Sequence, residues 1–396
     1  MANENLSKAK AAKYDEFYTQ YADIQKEVEA YLEYNPDTFR GKVVYSNCDD
    51  PYESNFFRYF VLNFERLGLK QLITTSYKPS PVANTQLELF ADYSTPPQIK
   101  GRPKATANKI IINSVGDLDE DGEFNLKDVA KQLKENKNND WAPLEENGDF
   151  RSDECIELLK QADIVVTNPP FSLFREYVKQ LFEYDKHFLI IGNMNAITYK
   201  EIFPKIKENK MWLGATGAGK DMVFAVPEGV EIAEADKQKA ARLGYVGNYT
   251  RLGNSTWYTN LDHGKRHQPL NLMTMEDNRK FNKKVQNSET AYKKYDNYDA
   301  IEVPFTDAIP SDYDGIMGVP ISFLDKYSPE QFEIVNANDF RISAEVPEKA
   351  HGLIKDKEAS ITIYKDKNTT NAVCIEKERR ITYVRVCIKH IDCTEK

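Results

Sequence analysis

The chain predicts an α/β fold on a doubly wound sheet, and three features of its sequence carry that expectation. Short apolar runs recur, each closed by polar or turn residues. Amphipathic stretches at helical spacing alternate with them. One long stretch, 78–147, interrupts the alternation and has the period of neither element.

The elements follow in order. Lys42-Val43-Val44-Tyr45, Gln71-Leu72-Ile73-Thr74-Thr75, Ile110-Ile111-Ile112, Asp163-Ile164-Val165-Val166-Thr167 and Phe188-Leu189-Ile190-Ile191 are β-rich runs, apolar on both faces. Such runs suit parallel strands buried between helices. Asn55 to Leu67 and Cys155 to Gln161 read as helices, and Leu173, Phe174, Tyr177, Val178, Leu181 and Phe182 repeat at helical spacing after the 163–167 run. Strand–helix alternation of this kind builds a sheet covered on both faces, with ligands beyond the carboxyl ends of its strands. Met222-Val223-Phe224 is a further short β-like run, and Thr256 to Leu261 reads as the last strand. The 78–147 stretch, rich in Pro, Lys, Asn and acids, is expected to be an insertion with its own strand near 109–115. Beyond about 275 the pattern loosens into Tyr, Asp, Asn and Lys, so the expected division is a 1–275 domain and a smaller C-terminal lobe, 276–396.

Composition narrows the class. With 41% hydrophobic and 29% charged residues, the chain of 396 is long enough for two cores. Its N-terminal residues lack an apolar signal region and no apolar run reaches membrane-span length, so a cytoplasmic location and no membrane partner are expected. Five cysteines without Cys-x-x-Cys spacing argue against a disulfide framework and a structural zinc site. The net charge of −9 weakens a nucleic-acid reading without excluding it, because an acidic whole can carry a basic face.

The 163–167 run ends in Asn168-Pro169-Pro170-Phe171. Two prolines fix φ and remove two donors, leaving outward carbonyls, and Asn168 adds a neutral side-chain acceptor. Two converging acceptors suit an aromatic amine whose lone pair is delocalised into its ring. Each takes one N–H, the nitrogen becomes tetrahedral, and its lone pair is free to attack an electrophilic methyl group in line. Phe171 offers a flat face to a base that has left its stack. Oriented dipoles and proximity are enough for such a transfer. The alternative is an ordinary Pro-Pro turn; a position between strand and amphipathic helix favours the chemistry.

Asn-Pro-Pro-Phe resembles the catalytic motif of amino-methyltransferases in its adenine form. The run from Asp163 to Tyr177, together with Asn47 to Phe57 and Tyr313 to Phe323, closely resembles the EcoRI-type adenine-specific DNA methyltransferases over nearly the whole chain. The resemblance implies a Rossmann-like methyltransferase sheet, S-adenosylmethionine as cofactor, double-stranded DNA as partner and a C-terminal target-recognition lobe. It implies methylation of adenine N6 by base flipping and direct attack, with Asn168, Pro169, Pro170 and Phe171 catalytic. GAATTC is the first expectation for the sequence read. A companion restriction endonuclease is a further implied element of the system, whereas no stable protein partner is expected. A methyltransferase for another amine (an RNA base or a protein glutamine) and a catalytically inactive DNA-binding relative stay open.

The same resemblance suggests the remaining site residues. Phe17, Tyr18 and Thr19, in Asp15 to Gln20, are similar to an N-terminal cofactor motif, the alternative being aromatic packing at a helix start. After the first strand the family at large has a glycine-rich loop; here Asp49, Asp50, Pro51 and Asn55 stand in its place, and Asp50 as a helix cap is the competing reading. Thr75-Ser76-Tyr77 lacks the acid usually found after the second strand, whereas Gly148-Asp149-Phe150 matches a clamp in which Asp149 and Phe150 hold the cofactor's adenine. Phe224 is the candidate second aromatic against the target base, or a core residue.

Lys265 and Arg266, in the turn His263 to His267, are candidate phosphate contacts, as are Arg379 and Arg380 within 376–390, where five basic residues face two acidic ones. Lys100, Arg102 and Lys104 form another basic cluster; solvated loops look the same. Asp117, Asp119, Asp121, Asn125 and Asp128 fall at the ligand positions of a calcium loop around Gly122, with an exposed acidic turn as the alternative.

Overall fold

The computed structural model describes residues 18–48, 54–77, 107–117, 124–135, 138–216, 222–226, 232–252, 255–288, 291–295, 299–335, 373–375, 380–382 and 385–391. The chain divides into two compact units, 1–194 with 214–262, and 195–213 with 263–396.

In the first unit the strands are β1 (Tyr18–Thr19), β2 (Val43–Ser46), β3 (Gln71–Thr75), β4 (Asn108–Ile112), β5 (Asp140–Pro143), β6 (Ile164–Thr167) and β7 (His187–Asn193). They are joined by helices α1 (Tyr21–Tyr34), α2 (Asn55–Leu62), α3 (Phe64–Leu67), α4 (Leu126–Glu135), α5 (Asp153–Gln161) and α6 (Phe174–Glu183). Strands β3, β2, β6 and β7 lie side by side and parallel, in the register Val44 to Leu72, Val44 to Ile164 and Val165 to Phe188. Every residue of β2 and β6 is buried. Burial on both faces is why both read as unbroken apolar runs.

Strand β4 corrects one expectation. It is not a parallel strand: it pairs antiparallel with β3, Leu72 opposite Ile112, and β5 pairs antiparallel with β4 in turn. The inserted stretch thus extends one edge of the central sheet. The strand Ser255–Thr259 extends the other edge, antiparallel to β7.

The strand order positions the site. From β2 the chain runs outward through β3, β4 and β5, then returns to β6 on the opposite side of β2. The connections therefore part above the carboxyl ends of β2 and β6, which opens a crevice there. Helix α6 fixes one wall. Its Phe174, Tyr177, Val178 and Leu181 are buried, and the Phe174 ring lies where a Cβ on Gly192 of β7 would collide with it. A smaller sheet joins β1, Met222–Ala225 and Tyr249–Leu252, with Thr19 directly opposite Phe224.

The second unit holds a four-stranded sheet in the order Ile301–Glu302, Met317–Pro320, Arg385–His390, Phe332–Ile334. At its centre Arg385 grips the fully buried Glu302 through Nη2 at 2.6 Å and Nε at 3.0 Å, and the Tyr295 hydroxyl donates to the same carboxylate. Among the described residues, no helix is long and apolar enough to cross a membrane.

Candidate active site at the strand ends

The Asn168–Phe171 loop leaves the last residue of β6 as the sequence order requires. Asn168 is 8% exposed, Pro169 is buried, and Pro170 and Phe171 are half-buried. The turn that follows closes on Pro170, whose carbonyl accepts from the Leu173 N–H at 3.0 Å. The Pro169 carbonyl is therefore not the one that closes the turn. Phe171 packs one side against the main hydrophobic cluster and keeps part of its surface outside it.

The end of β2 is tied to the same place. The Ser46 hydroxyl donates to the Val166 carbonyl at 2.6 Å, and the Thr167 hydroxyl donates to the carbonyl of Asn47. Tyr177, from α6, donates its hydroxyl to Asn47 Oδ1. Both oxygens of Asn47 are thus spent holding the two strand ends and the wall helix together. Sequence reading placed Asn47 and Tyr177 only as members of longer resembling runs, Tyr177 also on an apolar helix face, and gave neither a role of its own. The residue-after-strand rule singles out Asn47; nothing in a helical period reveals a buried hydroxyl.

Next to Asn47, Cys48 adopts φ +70°. This left-handed conformation is the one a glycine loop would supply, and a residue with a Cβ pays roughly 1–2 kcal/mol to hold it. Ser54 caps α2, its side chain accepting from the Phe56 N–H at 3.1 Å. The cap is therefore Ser54 and not Asp50. Asp49, Asp50, Pro51 and Phe17 lie outside the described residues.

Asn55 and Thr19 meet: Asn55 Nδ2 donates to the Thr19 carbonyl at 2.8 Å. Tyr18 is described in its backbone, paired with Ala225. Thr19 is 3% exposed, and its Oγ1 is buried with no hydrogen-bond partner among the described residues. A hydroxyl so placed costs about 1–3 kcal/mol unless something binds it, which is what a residue lining a polar ligand's pocket would show. Across the strand pair, Phe224 is fully buried within the hydrophobic cluster.

Gly148 brings the Asp149-Phe150 pair to the end of β3. Its φ is +74°, and a Cβ there would run into the Ser76 carbonyl, so glycine alone permits this approach. Burial pushes the Asp149 carboxyl up, but the Arg151 side chain and backbone bonds and the Arg151 charge outweigh it and hold the carboxyl below its ordinary value. Arg151 donates Nη2 to Oδ2 at 2.7 Å and both its backbone N–H and Nε to Oδ1 at 2.9 Å. A carboxylate has about four acceptor positions, so three bonds leave one for a ligand donor. Phe150 is buried, its ring 5.0 Å from that of Tyr177 and its carbonyl held by Gln180 Nε2 at 3.1 Å.

The remaining candidates belong to other segments of the chain. In the second unit, Lys265 pairs with Asp325 at 2.7 Å, while Arg266 is 7% exposed, bonds Asn209 and stacks 3.6 Å from the Trp212 ring centroid. Both cations are committed inside the fold. Arg379 and the Lys100–Lys104 cluster lie outside the described residues, and Arg380 is described only as part of the strand Arg380–Thr382. In the acidic loop, Asp119 and Asp121 also lie outside them. Asn125 and Asp128 form a capping box on α4: Asp128 Oδ2 accepts from the Asn125 N–H at 2.9 Å and Asn125 Oδ1 from the Lys127 N–H at 2.8 Å. Among the described residues no group of three metal-ligating side chains occurs.

A mostly parallel Rossmann-like sheet that bears an Asn-Pro-Pro-aromatic loop at its switch point defines an amino-methyltransferase. The chain belongs to the EcoRI family of adenine-specific methyltransferases, whose model, described as "Adenine-specific methyltransferase EcoRI", matches residues 5–391. It is 44% identical over 339 residues to the Type II methyltransferase M.EcoRI of Escherichia coli, covering 84% of this chain and 89% of the relative. It is 35% identical to the Type II methyltransferase M.MpnI of Mycoplasma pneumoniae, covering 84% and 85%. For M.MgeORF184P of Mycoplasma genitalium the identity is 34%, over 84% and 86%. No solved structure matches the chain.

Proposed function

We propose that this adenine-specific methyltransferase transfers a methyl group from S-adenosylmethionine to adenine N6 in a specific sequence of duplex DNA. The observation that carries the reading is the placement of Asn168-Pro169-Pro170-Phe171 at the carboxyl end of β6, on the switch point of the sheet.

When bound, the cofactor supplies an electrophilic methyl group on a sulfonium sulfur. The chain's own groups do the rest. Asn168 Oδ1 and the Pro169 carbonyl accept the two N6 protons' hydrogen bonds and turn the amine nitrogen towards tetrahedral geometry. Phe171, the half-buried aromatic, carries the face of the extruded base, while Phe224 packs beneath as core. Asp149 uses its remaining lone pair for the cofactor's adenine amine, and Phe150 covers that ring. Thr19 Oγ1 and the Asn55–Thr19 contact fit the methionine end of the cofactor, to which the family resemblance also assigns Phe17, Tyr18, Asp49, Asp50 and Pro51. Preorganised dipoles of this kind are worth about 10²- to 10³-fold in rate per donor or acceptor removed.

Tritiated cofactor offered with duplex DNA, RNA and protein separates this reading from transfer to another amine. Asn168→Ala is expected to lower transfer to duplex DNA by about 100-fold or more while cofactor binding persists; undiminished transfer would refute the mechanism. Single-molecule sequencing of DNA from expressing cells reads out the methylated base and its sequence context, with GAATTC the first expectation, and any companion endonuclease must cut at that same sequence. The calcium reading rests on the acid spacing of 117–128 alone. Calorimetric titration with Ca²⁺ decides it, saturable heat supporting the site and its absence removing it.

A further inference from the structure

The second unit carries a cationic surface that the sequence motifs did not single out. Residues 275–286 carry Arg279, Lys280, Lys283 and Lys284 against Glu276 and Asp277, the two acids lying in the first turn of the segment, in a chain whose net charge is −9. Arg279 and Lys280 end the helix Met275–Phe281, and Lys283 and Lys284 open the helix Lys283–Gln286. All four are exposed, and Phe281 between them is 62% exposed.

The two helices are held firmly. Asn282 ends the first, its N–H donating to the Asn278 carbonyl, and caps the second, Oδ1 accepting from the Lys284 N–H at 3.1 Å. Asn278 is fully buried and Val285 nearly so. The charged side chains therefore project from a packed base.

Local electrostatics account for only half of this charge. Cations in the last turn of a helix are favoured by its dipole, which covers Arg279 and Lys280. At the first positions of the next helix the dipole disfavours them, yet Lys283 and Lys284 stand there. Lys284 pairs with Asp307 at 2.7 Å, both side chains at least half exposed. Such a pair contributes about 0–1 kcal/mol and is readily exchanged for another anion. Lys280 Nζ lies 5.2 Å from the Phe281 ring centroid, so the exposed aromatic sits within the cationic field.

We infer that the helix pair 275–286 is a DNA-backbone contact surface of the second unit, with Arg279, Lys280 and Lys283 on phosphates. The inference rests on the duplex-DNA reading of the active site. Exposed cations on a rigid element, with an exposed ring among them, fit the polyanionic edge of a duplex. Each phosphate neutralised releases counterions and adds about 0.9 to the slope of log K against log salt.

The experiment is a salt titration of duplex binding by fluorescence anisotropy, comparing the natural chain with the variant R279A/K280A/K283A. The expected result is a slope smaller by about 2 to 3 and binding weakened about ten- to hundredfold at 0.15 M salt. The thermal midpoint and the affinity for S-adenosylmethionine should stay unchanged. An unchanged slope in the variant overturns the surface. A natural chain with no salt-dependent duplex binding overturns the DNA reading itself, so the two failures are distinguishable. If the variant loses stability, K283E alone, in an exposed position, serves the same comparison.

Discussion

At the scale of single residues, the site is held by hydrogen bonds that sequence patterns do not display. Tyr177 looks like one more apolar position of α6, yet its hydroxyl locks Asn47 and its ring abuts Phe150. It is a positioning residue, since it reaches the Asn168–Phe171 loop, the proposed catalytic loop, through other groups. Tyr177→Phe removes only the hydroxyl and leaves Asn47 Oδ1 buried without that donor, a loss of about 1–3 kcal/mol. The expected outcome is a lower thermal midpoint together with a fall in single-turnover methyl transfer, at an unchanged affinity for duplex DNA. A fall in stability alone would mean that the bond is merely structural. Asp149 gives a second residue-scale prediction. Its folded pKa is depressed, so its contribution is present above the ordinary value of about 3.9 and is lost as pH falls through the lower folded value. Carbon-detected NMR titration should find this carboxyl titrating below the ordinary range, and Arg151→Met should move it upward.

At the scale of elements, most of the sheet was legible, because a strand buried on both faces has to be apolar throughout. The runs at 42–45, 71–75 and 163–167 became β2, β3 and β6 almost residue for residue. The strand near 109–115 was legible as a strand but not as the partner of β3, since pairing between distant segments leaves no local period. Gly148 shows the same limit. Gly-Asp-Phe is a common tripeptide, and only the fold reveals that its glycine passes under the Ser76 carbonyl. Gly148→Ala must adopt φ +74° and displace that carbonyl. A cost of about 1–3 kcal/mol and weaker S-adenosylmethionine binding are expected, measured by denaturant unfolding and calorimetry. Unaltered cofactor affinity would detach the Asp149-Phe150 turn from the cofactor site.

At the scale of the whole molecule, the chain forms two units whose boundary, after Asp262, also claims the segment 195–213 for the second. The sequence reading put the boundary near 275, which falls within the second unit, because a segment that crosses from one unit to the other changes no composition. The second unit is organised on the Arg385–Glu302 pair, 10% and 1% exposed in side chain. Leaving one member of a buried pair alone costs about 3–5 kcal/mol. Glu302→Ala should therefore unfold this unit at lower denaturant, while a double replacement, Glu302→Leu with Arg385→Met, should restore much of the loss. Equal stability of the single and double variants would show that the pair is not coupled.

The Asn168–Phe171 loop, the strand before it and the helix after it were determined by the sequence alone, because each rests on residues adjacent in the chain. The tertiary structure decided what surrounds the loop. It set β2 against β6, gave Cys48 the left-handed turn that a glycine would otherwise make, and brought Asp149, Thr19 and Asn55 from separate segments to their places. The physical reason is range. Propensity and periodicity act over a few residues, whereas a buried hydrogen bond between Asn47 and Tyr177 spans 130 positions and exists only once the sheet has closed around it.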